Sequence, residues 1–74
     1  MPMETPLDVA SKSIGKNVLV VLRDSQTSFR GTMKTIDMHL NTVLENTEEL
    51  QDGQAKRQLG RCIIRGDKVL FISL

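Results

Sequence analysis

The chain has 74 residues, with ten Lys and Arg against nine Asp and Glu, a net charge of +1 and a pI near 7.9, so it lacks the basic excess of proteins that coat duplex nucleic acid. One Cys and one His can furnish neither an internal disulfide nor the usual four ligands of a structural zinc site, and no metal or cofactor is expected. No apolar run nears the roughly 18 residues of a membrane span, and the N-terminus lacks a basic and then apolar leader pattern, which with the unpaired Cys62 points to a reducing cytoplasm.

A single domain of this size has difficulty offsetting the entropy of ordering its own backbone. Hydrophobic residues make up 39% of it, mostly Val, Ile, Leu and Met, with two Phe and no Trp or Tyr. Some of that apolar surface is therefore expected to meet another copy of the chain. Residues 1–4 carry no pattern and are expected to fray. A short helix over 5–15 follows: Thr5 caps, Pro6 suits the first turn, Asp8 completes a capping box, and Leu7, Ala10 and Ile14 share one face. Lys12 and Lys16 stand toward its end and Gly15 closes it. At this length it needs a sheet to lie on.

From 17 to 74 the pattern is all β. Val18-Leu19-Val20-Val21-Leu22 is apolar on both faces, as in a central strand covered by core on one side and by the helix on the other. Arg23 to Thr27 reads as a polar turn. Phe29, Gly31 and Met33 keep one phase and Ile36 breaks it, so a bulge is expected between Met33 and Ile36, with a second bend at Gly31. Thr42 to Thr47 is a third strand, and Glu48 to Gln58 is a charged connection with Asp52-Gly53 as its turn. Leu59 to Arg65 and Lys68 to Leu74 are the last two strands, with Cys62 expected to be a buried, inert thiol in the first of them. One short helix and five short, strongly bent strands imply a small antiparallel barrel of SH3-like form whose first and last strands leave edges open to a neighbouring copy.

Two polar breaks interrupt the strands: Asp37-Met38-His39-Leu40-Asn41, with the only histidine, and Arg65-Gly66-Asp67. Each is ordinary alone, since a loop histidine is commonly just solvated and Arg-Gly-Asp suits any tight turn. The two breaks are expected to face each other. No nucleophile with a matched base, phosphate-binding glycine pattern or metal cluster is present, so catalysis is not expected.

Taken together, the order of helix, apolar strand, Phe29-x-Gly31-x-Met33, Asp37-Met38-His39-Leu40-Asn41, Val43-Leu44-Glu45, polar spacer, Cys62-Ile63-Ile64-Arg65-Gly66-Asp67 and Val69-x-Phe71-Ile72 closely resembles the Sm and Sm-like (Lsm) RNA-binding family, in its archaeal type, from Leu7 to Leu74. The resemblance implies a bent five-stranded barrel, copies joined edge to edge in a ring that is commonly a heptamer, and uridine-rich single-stranded RNA held around the pore for RNA processing or metabolism. Carried onto this chain, it implies that His39 and Arg65 sandwich a base and Asn41 reads its edge, while Asp37, Gly66 and Asp67 support the site. Leu40 and Thr42 depart from the usual methionine and apolar residue of the family. Imidazole and guanidinium planes suit stacking of an unpaired base. A uracil edge matches the amide of Asn41 if Asp67 or Asp37 fixes which end of that amide faces it. Two other readings are a structural ring without RNA, which would not need His39, Asn41 and Arg65 together, and an SH3-like peptide-binding module, which usually requires the aromatics this chain lacks.

Overall fold

The computed structural model describes residues 3–74; the expectation for Met1 and Pro2 lies outside the described residues. Helix α1 spans Pro6–Ser11, and strands β1 Asn17–Leu22, β2 Thr27–Ile36, β3 Thr42–Gln51, β4 Gln54–Ile64 and β5 Val69–Ser73 follow, with a 3-10 turn at Gly66–Lys68 before the last. The strands form one antiparallel sheet in the order β4-β3-β2-β1-β5. Strands β4 and β5 occupy opposite ends of that order, so the edges are not the expected first and last strands, β1 being paired on both sides; yet only a few residues join β4 to β5. The sheet must therefore roll until its two ends approach, and this is the bent, barrel-like form expected.

Bending is written into β2 and β3. The β2–β3 register shifts between Arg30 and Thr32 and again between Met33 and Thr35, so both bends fall where Gly31 and the lost phase of Ile36 place them. At Gly31 a Cβ would lie 2.8 Å from the Glu45 carbonyl oxygen, closer than side chains tolerate; only glycine lets β3 cross so near. The second shift returns Ile36 to the same interior as Met33. There Val18, Val20, Met33, Ile36, Leu44, Ile64 and Val69 are buried with Ala10 of α1.

The helix is shorter than the expected 5–15. Thr5 and Asp8 form the capping box, but the last helical residue is Ser11. Beyond it the backbone is claimed by β2: Gly15 N–H donates to Met33 O at 2.7 Å, and Met33 N–H donates to Lys16 O at 3.0 Å. Ile14, placed on the buried face by helical spacing, is instead exposed. The helix also does not cover the outer face of β1. Its Ala10 joins the same interior as Val18 and Val20, and Leu19 and Val21 on the other face stay half-buried.

Strands β3 and β4 run well past the expected Thr47 and begin well before the expected Leu59, meeting at Asp52-Gly53, both at positive φ as a two-residue hairpin turn requires. The segment 48–58 is thus a paired hairpin, with a register shift between Glu49 and Leu50. It is polar because its side chains pair across strands, Arg30 with Glu48 at 2.5 Å and Arg57 with Glu49, and just outside it Glu45 is shared between Lys34 and Arg61 at 3.4 Å each. Cys62, expected to be buried, is only half-buried on the edge strand β4 opposite Leu44. Met3 is exposed, and Glu4 forms an ion pair with Lys12. Among the described residues, no helix is long and apolar enough to cross a membrane.

Candidate nucleic-acid interface

The loop between β2 and β3 is organised by one carboxylate. Asp37 Oδ1 accepts the backbone N–H groups of His39 at 2.9 Å and Asn41 at 3.0 Å, and Asp37 Oδ2 accepts from Asn41 Nδ2 at 3.0 Å. Backbone bonds from Asp37 N–H to Asn41 O and from Leu40 N–H to Asp37 O close the loop, at 3.1 and 3.0 Å. The Asn41 amide, and with it the Asn41 and His39 N–H groups and the nearby imidazole, holds the Asp37 carboxyl below the ordinary aspartate range against the opposing cost of desolvation.

Leu40 takes a left-handed backbone, φ 64°, an uncommon state for a branched side chain. It is held there from both sides. Its N–H is bound to Asp37, and its carbonyl accepts from the Thr42 hydroxyl at 2.9 Å. Thr42 is fully buried, so the departure from an apolar residue at this position carries its own hydrogen bond. No feature of the sequence announced this role, because a leucine gives no sign of positive φ.

The second break meets the first. Gly66 N–H donates to Asn41 Oδ1 at 2.7 Å, and a Cβ on Gly66 would lie 1.7 Å from His39 O. Glycine is required because one backbone rests directly on the other. The Asn41 amide is therefore gripped at both ends, with its nitrogen against an acceptor and its oxygen against a donor. The amide is fixed in one sense, since turning it over would set two donors and two acceptors against each other. Asp37 performs the holding that was expected of Asp67 or Asp37. Asp67 lies instead by the guanidinium of Arg65, with Arg65 Nε and Asp67 Oδ1 3.6 Å apart. The Gly66 N–H is the partner that sequence reasoning missed, since a backbone group leaves no mark in a pattern of side chains.

His39, Asn41, Arg65, Gly66 and Asp67 together line an open cleft of about 500 Å³. His39 and Arg65 are exposed, and one hydrogen of the Asn41 amide and one lone pair of its oxygen remain unclaimed by the protein. On the far side of the 37–41 loop, Met38 and Leu40 face Thr5, Pro6 and Leu7 across a separate, more apolar groove. Among the described residues, no group of three or more His, Cys, Asp or Glu is placed to hold a metal ion.

Comparison with known proteins places this geometry. The family model described as LSM domain matches residues 8–74. Over 70 residues the chain is 51% identical to an snRNP Sm-like protein of Pyrococcus furiosus, covering 95% of this chain and 91% of that one. Among solved structures, it superposes on the Pyrococcus abyssi Sm protein in complex with a uridine heptamer with a TM-score of 0.88 at 47% identity, covering 95% of this chain and 97% of that one. The SmAP1 heptamer of P. aerophilum gives a TM-score of 0.86 at 43% identity, with 97% and 95% covered.

Proposed function

Because this chain belongs to the LSM domain family, we propose that it is one subunit of a homoheptameric ring that binds single-stranded, uridine-rich RNA at its inner pore and acts in RNA processing or metabolism within the cytoplasm, by binding and without catalysis. The observation that carries the reading is the doubly held Asn41 amide at the floor of a cleft flanked by His39 and Arg65. Uracil presents an acceptor at O4 beside a donor at N3, and the unclaimed N–H and lone pair of Asn41 match that order. His39 and Arg65 offer planar groups to stack on, worth about 1 to 3 kcal/mol per base. Asp37, Gly66 and Asp67 keep these three groups in place.

A ring gives the remaining terms. The open edges of β4 and β5 carry Leu59, Ile63, Leu70 and Phe71 to the surface, and burying them between copies supplies the apolar area that one short chain lacks. Repetition makes each later contact of one strand intramolecular, so weak pockets add to a strong site. It also gathers the Arg65 charges around one opening, which allows a nearly neutral chain to attract RNA. Native mass measurement with and without oligo-uridine tests the reading. A heptamer that gains the mass of bound RNA is the expected result, and a species that neither assembles nor binds would refute it.

A further inference from the structure

We propose that Arg23 and Lys68 form a phosphate clamp beside the uridine cleft, so that the RNA backbone leaves each pocket across the β1–β2 turn and not over helix α1. The proposal rests on the RNA-binding reading above and adds to it the path of the sugar-phosphate chain.

The chain's ten Lys and Arg residues divide by partner. Lys12, Arg30, Lys34, Arg57, Arg61 and Arg65 stand within ion-pair distance of a carboxylate. Lys16, Arg23, Lys56 and Lys68 form no ion pair among the described residues. Two of these four lie together: Leu22 pairs with Val69 in the β1–β5 ladder, and just beyond it Arg23 N–H donates to Lys68 O at 2.9 Å. Lys68 ends the 3-10 turn whose Gly66 and Asp67 line the cleft. Arg23, Lys68 and Arg65 are therefore carried by two turns bonded to each other.

Two carboxylates share this region, and their geometry decides how far they oppose an anion. Asp24 is turned back into its own loop, where its oxygens accept Gln26 N–H, Thr27 N–H and the Thr27 hydroxyl at 2.8 to 2.9 Å. Asp67 faces Arg65. Neither is engaged with Arg23 or Lys68, so both cations keep their donors for a ligand.

The opposite side of the cleft differs in character. Beyond the 37–41 loop lie Met38 and Leu40 with Pro6 and Leu7. The charged groups there are Asp8, held by the Thr5 cap, and Glu4, already paired with Lys12. A phosphodiester on that side would meet apolar surface, the capped carboxylate of Asp8 and a cation, Lys12, already paired with Glu4. A phosphodiester leaving by the 65–68 turn would meet two unpaired cations, which is the direction of lower energy for a chain with one negative charge per nucleotide.

Phosphate contacts carry no base information but set the salt dependence of binding. The test is a titration of labelled oligo-uridine and oligo-cytidine against the assembled ring at several salt concentrations, using Arg23→Gln with Lys68→Gln and, as controls, Lys16→Gln with Lys56→Gln. The clamp variant should bind both oligomers about tenfold or more weakly at low salt, with the log affinity against log salt flattened by about 0.7 for each phosphate that is no longer neutralised and with the uridine-to-cytidine ratio kept. Arg23→Lys should retain most of the slope. Unmodified protein that binds oligo-uridine while the clamp variant shows the same slope would overturn the clamp alone. Equal losses from the Lys16 and Lys56 pair would also overturn it, pointing to overall charge. Failure of the unmodified protein to bind oligo-uridine would overturn both the clamp and the reading beneath it.

Discussion

Gly66 N–H donates to Asn41 Oδ1 at 2.7 Å across 25 residues of sequence, and this bond joins the two strand breaks into one site. The space for it exists only because residue 66 has no side chain. Gly66→Ala would drive a methyl group into His39 O, so backbone must move. Overpacking of this kind costs about 1 to 3 kcal/mol. The expected outcome is a lower melting temperature together with a loss of about tenfold or more in oligo-uridine affinity, read by thermal melts and titration. Unaltered affinity would mean that the two loops need not touch.

Asn41→Ala should lower the preference for uridine over cytidine. With the amide held by Asp37 and Gly66 it cannot turn to suit cytosine, so the wrong base leaves a polar group unpaired at a cost of about 1 to 3 kcal/mol per pocket. Stacking on His39 and Arg65 should preserve part of the affinity. The ratio of oligo-cytidine to oligo-uridine dissociation constants is the readout, and a ratio that does not change assigns base reading elsewhere.

Arg65→Ala should weaken RNA binding more than Lys56→Ala, by about 1 to 3 kcal/mol per stacked base. Lys56 is the cleaner control because it lies near the hairpin turn and forms no ion pair among the described residues, whereas Arg57→Ala would leave Glu49, buried on β3, without its partner. Titration at fixed salt decides it; an equal or larger loss from Lys56→Ala would move the binding face to the hairpin.

Acid should loosen the site through Asp37. Its carboxyl is held below the ordinary aspartate value of 3.8 by the Asn41 amide and the loop N–H groups. A group depressed in the folded state adds stability that is fully present above its unfolded value and is lost as pH falls through the folded one. Stability and uridine preference should therefore hold steady through neutral pH and decline below about pH 4. Asp37→Asn should reduce that acid step, leaving the part that belongs to Asp8, Asp24 and Glu45, which are also held below their ordinary values, and should weaken discrimination at every pH. A melting curve of the Asn variant that retains the full acid step would place the titration in other carboxylates.

Ile63→Lys should open the ring and leave the subunit folded. Ile63 is 73% exposed on β4, at the sheet's edge, so the change costs the interior nothing and places a charge where a second copy would pack. Sedimentation should show smaller species with unchanged far-ultraviolet dichroism. A stable monomer of the unmodified protein at micromolar concentration would count against assembly altogether.

The sequence disclosed the elements whose residues repeat with a period, and the exceptions to that period. The lost phase between Met33 and Ile36 was visible because one apolar residue fell on the wrong face, and the two breaks stood out as polar interruptions between apolar strands, although no periodicity showed the bond that joins them. The extent of β3 and β4 was not visible. Glu48, Glu49, Arg57 and Gln58 have the composition of a loop, and only their partners across the ladder make them strand residues. The end of α1 was hidden for a similar reason, since Gly15 and Lys16 are drawn out of the helix by Met33, far away in sequence. Position 42 could be noted as unusual, but its hydroxyl acquires a purpose only once Leu40 turns left-handed.

The strand order β4-β3-β2-β1-β5 leaves two edges that are not alike. Copies joined edge to edge through unlike edges meet head to tail, and a closed circle of such contacts has a rotation axis but no perpendicular twofold. Its two mouths are chemically different, one surrounded by groups the other lacks. A nucleic acid strand also has a direction, so threading from one mouth and threading from the other are distinct events with different energies. A ring closed through these two edges would be a polar bead on such a strand, with one energy for each direction of threading.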